Sequence, residues 1–100
     1  MNKFLQFLSI AKKSGSIIEG YNNCEAVLGK KHISLFLFSN EISSNSEKKF
    51  AKYCELNSIP YIKEFSKYEL GSSLGRTEIN IVCVTDKNIG NKLLTIFRNG

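Results

Sequence analysis

Leu35-Phe36-Leu37-Phe38 is a run of four apolar side chains with no polar residue to turn toward water. In a strand, successive side chains face opposite ways, so this run has to be covered on both faces. It therefore predicts a strand in the middle of a sheet with helices above and below it. The rest of the chain is expected to supply those helices and the neighbouring strands.

Upstream, residues 22–30 read as a helix that turns Cys24, Val27 and Leu28 toward the core, with Asn22 and Glu25 at capping-box spacing. Ile17-Ile18 is a short strand that ends in Gly20. Residues 3–13 form an amphipathic helix with Phe4, Leu5, Leu8 and Ala11 on one face, closed by Ser14-Gly15-Ser16. Downstream, Ser44-Asn45-Ser46-Glu47 has the spacing of a capping box. The helix it opens carries Phe50, Ala51 and Cys54 inward, and Lys48, Lys49 and Lys52 on the wetter side. Ile59-Pro60-Tyr61-Ile62 begins a strand whose proline suits a first position or a sheet edge. Ser66-Lys67-Tyr68-Glu69 is another capping box, opening a short helix that ends near Leu74-Gly75. Residues 79–84 form the last strand, and Asp86 caps a final helix bearing Ile89, Leu93 and Phe97.

Helices and strands thus alternate from one end to the other. The expected fold class is α/β: a three-layer α/β/α sandwich with a four-stranded mixed central sheet and about five helices. A chain of 100 residues suits one domain spanning residues 1–100, without a linker, repeat or low-complexity tract.

Composition narrows the function. No apolar stretch approaches the roughly 20 residues that span a bilayer, and Gln6, Ser9, Lys12 and Lys13 interrupt the apolar N-terminal stretch, so neither a membrane segment nor a secretory signal is expected. Cys24, Cys54 and Cys83 are odd in number and widely spaced, which argues against a disulfide framework or a metal knuckle and for buried thiols in a reducing cytoplasm. The net charge is +5 and the pI about 9.2, a balance that favours a polyanionic partner.

Catalytic constellations are missing from the sequence. His32 is the lone histidine and follows Lys30-Lys31. There is no nucleophile elbow, phosphate loop or dinucleotide fingerprint. The three cysteines fall on core faces, where a thiol is inert. The expectation is a non-enzymatic protein with no cofactor and no catalytic or metal site.

Two glycine-containing turns are the candidate binding elements. In Gly20-Tyr21-Asn22-Asn23-Cys24-Glu25, the glycine permits close backbone approach, the asparagines offer amide donors and acceptors, and the helix start offers free N–H groups. On a helix reaching residue 30, Asn22, Ala26 and Lys30 would form a ridge away from the core, with asparagine on base edges and Lys30 on phosphate. The second element is Gly75-Arg76-Thr77, where a tight turn would project an arginine suited to phosphate or guanine. In an alternating sandwich the two turns can share one end of the sheet. A protein-interaction surface on the same fold is the competing reading.

Several segments, in order, resemble the ribosomal protein L-seven-Ae (L7Ae) family, nearest to its short bacterial YlxQ and YbxF branch. They are Ala11-Lys12-Lys13-Ser14-Gly15, Gly20-Tyr21-Asn22-Asn23-Cys24-Glu25, the strand from Leu35, Lys48-Lys49-Phe50, Asn57-Ser58-Ile59-Pro60, Leu70-Gly71 with Gly75-Arg76, and Val84-Thr85-Asp86. The resemblance implies an α/β/α sandwich that binds kink-turn or related ribosomal RNA as a cytoplasmic monomer, and it extends the expectation to association with the ribosome. It implies that Gly20 and Asn22 match the glycine and asparagine of the element that reads sheared G·A pairs. Asn23 stands in place of a glutamate, Ala26 of a lysine and Lys30 of an arginine. Gly75, Arg76, Thr77 and Glu78 match the loop that packs on a flipped-out nucleotide.

Overall fold

The computed structural model describes residues 2–100. Its element order is α1 (Lys3–Ala11) with a 3-10 turn (Lys12–Ser14), β1 (Ile17–Glu19), α2 (Tyr21–Val27), β2 (Leu35–Ser39), α3 (Ser44–Leu56), β3 (Tyr61–Phe65), α4 (Lys67–Ser73), β4 (Ile81–Val84) and α5 (Lys87–Asn99). The four strands form one mixed sheet in the order β1-β4-β2-β3. β4 is antiparallel to both β1 and β2, while β2 and β3 run parallel. The apolar run from Leu35 lies inside the sheet, and all five residues of β2 are buried.

The alternation of β2 divides the core in two. Leu35 and Leu37 face a layer with Phe4, Leu8, Leu70 and Leu93 from α1, α4 and α5. Phe36 and Phe38 face Cys24, Phe50 and Cys54 from α2 and α3. Both layers bury side chains almost completely, and each large one contributes roughly 1.5–3 kcal/mol of transfer free energy. The three cysteines sit in the second layer as free, buried thiols.

Polar residues set the ends of the helices. Asn2 accepts from the N–H groups of Phe4 and Leu5. Ser66 and Glu69 form the expected capping box, and Asp86 accepts from the Ile89 N–H. Three expectations need correction. The cap of α3 is Ser43, one residue earlier, accepting from the Ser46 N–H, while Glu47 pairs instead with Lys63 at 2.9 Å. The N-cap of α2 is Gly20, with no side-chain cap, so Asn22 lies inside the helix and leaves the capping-box role unfilled. α2 also stops at Val27, where Leu28 turns extended, so Lys30 is not on the helix and the ridge from Asn22 is cut short. Gly29, in the left-handed conformation, carries the chain away, and the Tyr53 hydroxyl holds its N–H at 2.8 Å.

The remaining differences are at boundaries. α1 tightens into the 3-10 turn from Lys12, β1 extends to Glu19, and Ile79-Asn80 precede β4 as irregular chain. Pro60 lies just before edge strand β3, where its carbonyl accepts from the Phe36 N–H at 3.1 Å.

Candidate nucleic-acid interface

The topology separates two ends of the sheet. The C-terminal ends of β1, β2 and β3 lie together beside the start of β4: the Gly20 N–H bonds to the Ile81 carbonyl, and the Ser39 N–H to the Asn80 carbonyl. At this end each strand hands over to its helix, β1 to α2, β2 to α3 and β3 to α4. In open α/β sheets, crevices beyond the strand C-termini are the usual place for a ligand.

Gly20 has φ +92° and ψ 160°, a conformation L side chains rarely adopt, although a methyl group there would meet only open space. The glycine is therefore required by the backbone and leaves its outer surface bare. Asn22 and Asn23 follow on the exposed side of α2. The Asn23 amide donates to the Glu19 carbonyl at 3.0 Å, which fixes its side chain and leaves its oxygen free to accept. Among the described residues Asn22 makes no side-chain hydrogen bond, and its amide points to solvent uncommitted.

Tyr21 is more constrained. Its ring packs edge-on against Phe50 at 5.2 Å between centroids, Lys49 lies over it at 5.2 Å, and the Lys49 ammonium donates to its hydroxyl at 3.1 Å. Lys49 also pairs with Glu25, and that carboxylate, more than the tyrosine, holds the ammonium pKa above its ordinary value. Tyr21 thus fastens α2 to α3 while keeping one face partly exposed.

The second turn closes α4. Gly75, at φ +75°, donates to the Ser72 carbonyl, and Arg76 donates its N–H to the Gly71 carbonyl at 2.8 Å, a Schellman closure. The following chain folds back over the helix. A methyl group at Gly71 would lie 2.6 Å from the Glu78 Cα, so only glycine permits this approach. Lys67 fixes the return through Glu78 at 3.0 Å, an ion pair that raises the Lys67 pKa. Thr77 is exposed at the crest of the loop.

Glu19 joins the two turns. Its carboxylate, only 8% exposed, pairs with the guanidinium of Arg76 and, at 3.3 Å, with the ammonium of Lys12. Lys12 also donates to the Leu74 carbonyl at 2.6 Å, capping the end of α4. Residues from β1, the turn after α1 and the loop after α4 therefore meet at one corner. Glu19 thereby ties Arg76, which Gly75 and Thr77 flank in the chain, to the strand end from which Gly20 leads into Tyr21, Asn22 and Asn23. Lys30 stands apart: it lies beyond the far end of α2, whose seven residues span about 10 Å. Sequence reasoning missed Glu19 and the role of Lys12. The available signal was a lone carboxylate at the end of an apolar strand, placed between Lys12-Lys13 and a glycine.

Burial, more than neighbouring charge, pushes the Cys54 pKa up to about 12, and Cys24 is raised chiefly by its hydrogen bond with Cys83 and then by burial. Thiolates, the nucleophilic form, are thereby suppressed. No group of three or more His, Cys, Asp or Glu side chains among the described residues could hold a metal ion. No helix among them is long and apolar enough to cross a membrane.

Comparison with known proteins agrees with this architecture. The chain is 28% identical over 94 residues to the RNA-binding protein YlxQ of Bacillus subtilis strain 168, covering 94% of each chain. The solved structure of a protein with unknown function from Bacillus halodurans C superposes with a TM-score of 0.91 at 20% identity, over 98% of this chain and 99% of that one. The profile of the ribosomal protein L7Ae/L30e/S12e/Gadd45 family matches residues 2–95. With nearly its whole length matched, this chain belongs to the ribosomal protein L7Ae/L30e/S12e/Gadd45 family.

Proposed function

We propose that this protein binds structured RNA, and catalyses no reaction, through the corner where the Gly20 turn meets the loop after α4. The observation that carries this reading is the Glu19 carboxylate, shared by Arg76 and Lys12, which holds two cations and two glycine turns on one surface. A preset surface of this kind spares the complex part of the ordering cost of binding. The relative from Bacillus subtilis is named as an RNA-binding protein, which supports the same partner.

In this reading Asn22 and Asn23 contact base edges, Arg76 contacts phosphate, and Gly20 and Gly75 let the backbone come close. Asn23 accepts a hydrogen bond without carrying a charge, so that bond is weaker than one to a carboxylate. Tyr21 and Thr77 offer a partly exposed ring and a hydroxyl at the rim. The preferred RNA is a kink-turn or a related ribosomal RNA, bound by a cytoplasmic monomer that associates with the ribosome.

The test is a gel-shift titration of a kink-turn RNA against the same RNA without its G·A pairs, at two salt concentrations. The intact kink-turn is expected to bind more tightly, and binding should weaken with salt by a logarithmic slope of about 0.9 per phosphate contacted on duplex RNA, taken from B-DNA. The Asn22→Ala/Arg76→Ala variant should lose at least roughly tenfold in affinity, given about 1–3 kcal/mol per well-made base contact. Equal affinity for both RNAs would remove the kink-turn assignment. Salt-independent binding, or a double variant that binds as the wild type does, would remove the corner itself and leave the competing role of a protein-interaction module.

A further inference from the structure

The Lys30-Lys31-His32 run belongs to the opposite end of the sheet, at the N-terminal ends of β2 and β3 and the C-terminal end of β4. There residues 31–34, the end of α3, residues 57–60 and the first turns of α5 enclose a cleft of about 390 Å³. Its lining is mixed, with the half-buried Ile59, Pro60 and Leu94 supplying apolar surface. Lys31, His32 and Lys87 stand on its walls, and Asn91 adds an amide.

The charge of this cleft sets it apart. No aspartate or glutamate lines it. Among the described residues the ion pairs engage Lys12, Lys49, Lys63, Lys67 and Arg76, whereas Lys31 and Lys87 have no acidic partner. Clustered cations beside apolar surface focus a positive potential that an anion relieves. The walls are also braced from behind. The Tyr53 hydroxyl holds the Gly29 N–H, the Asn57 amide donates to the Tyr53 carbonyl at 2.9 Å, and Ser58 turns the chain at φ 55°.

Cations at the rim, apolar side chains beneath them and an amide beside those suit a nucleotide, with its anionic phosphate, its apolar base face and its polar base edge. The volume lies toward the small end of the roughly 300–1,000 Å³ typical of ligand sites, which suits one nucleotide and not a folded RNA. We propose that this cleft binds a nucleoside monophosphate unit, with the phosphate between Lys31 and Lys87, the base over Pro60 and Leu94, and Asn91 on the base edge. The unit is supplied free or as one residue of a single-stranded RNA. This site is independent of the RNA corner: five residues of strand, about 17 Å, separate the two ends.

Amide NMR spectra of the full chain test this, with adenosine monophosphate, a short oligoadenylate and sodium sulfate added at matched ionic strength. The expected result is saturable shifts in residues 31–34, 57–59 and 87–91 with one or both adenylate ligands and not with sulfate. A response to the mononucleotide marks the free ligand as sufficient. A response to the oligoadenylate alone marks the strand as the source, and each supports the site. Lys31→Ala/His32→Ala/Lys87→Ala should weaken binding roughly tenfold, as should Asn91→Asp, which brings an acid to the wall. Asn22→Ala/Arg76→Ala should leave the cleft titration unchanged. Sulfate producing the same shifts, no shift in the cleft, or undiminished binding by the variants would each overturn the proposal.

Discussion

The two ends of the sheet both carry cations, but these are held in opposite ways. At the corner near Gly20, Arg76 and Lys12 share the largely buried Glu19, and Lys67 has Glu78. At the cleft near His32, Lys31 and Lys87 have no acidic partner among the described residues. Paired cations hold fixed positions and retain only part of their charge, which suits a rigid ligand read by shape. Unpaired cations keep their full charge and their rotamer freedom, which suits a small or flexible anion. Net charge alone describes neither end. The placement of nine acidic residues among fourteen basic ones decides which cations are organised and which are free.

The largest expected effect breaks one end and spares the other. Gly71→Val would drive side-chain carbon into the Glu78 backbone, costing about 3 kcal/mol and displacing the loop that carries Arg76 and Thr77. The urea midpoint and the kink-turn affinity should both fall, while adenylate shifts at residues 31–34 persist in the folded fraction. An unchanged midpoint would mean that the loop does not press on the helix.

Raising the pH attacks the core that both ends share. The Cys54 pKa, pushed up to about 12 from an ordinary 9.0, means that the unfolded chain releases the thiol proton first as pH rises. The unfolded state then binds fewer protons, so the stability this thiol contributes is full below pH 9 and falls as pH rises toward 12. Lys49 and Lys67, whose pKa values are raised by Glu25 and Glu78, act in the same direction at higher pH. Their ion pairs are intact below the ordinary lysine value of 10.5 and are lost as pH climbs through the raised folded-state values. Urea titrations of wild type and Cys54→Ala at pH 8 and about 10.5 should show a smaller alkaline loss in the variant. An equal loss in both would assign it elsewhere.

Glu19→Gln sharpens the contrast by making the corner resemble the cleft. One hydrogen bond to Arg76 or Lys12 can remain, but the charge is gone, and stability should fall by about 1 kcal/mol because both cationic partners are half-exposed. The cations then release more counterion on binding, and the logarithmic salt slope of RNA affinity should steepen by about one. An unaltered slope would show that Glu19 does not offset their charge. The smallest effect belongs to Lys30→Ala. Beyond the end of α2, it should change kink-turn affinity by less than about twofold, and a larger loss would return Lys30 to the corner.

The periodic parts of the molecule were legible. Leu35 to Phe38 announced the central strand, and the serine and aspartate caps at Ser66 and Asp86 fall where their spacing predicts. Where competing local choices were close in energy, the reading slipped by one residue or one turn. Ser43 and Ser44 are adjacent hydroxyls, and the first of them is the cap, accepting from the Ser46 N–H. Helix α2 looked as though it could reach Lys30, because nothing before Gly29 forbids a helix. The return to a buried β2, however, requires the chain to turn at Leu28. At the corner, Gly20 and Gly75 were recognisable because their left-handed conformations demand glycine. Their meeting through Glu19 was not, since an ion pair between residues 57 apart leaves no periodic trace.

The pairing of β1 with β4 has a consequence during synthesis. Ile17, Ile18 and Glu19 find their ladder partners only in Val84, Cys83 and Val82. A nascent chain that has emerged only through β3 holds β1 with no strand beside it, and Arg76 has yet to appear. Contacts between such distant residues form late, because the intervening loop must first close. Completion of translation through residue 84 is thus the step that gives β1 its strand partner and lets Glu19 and Arg76 meet.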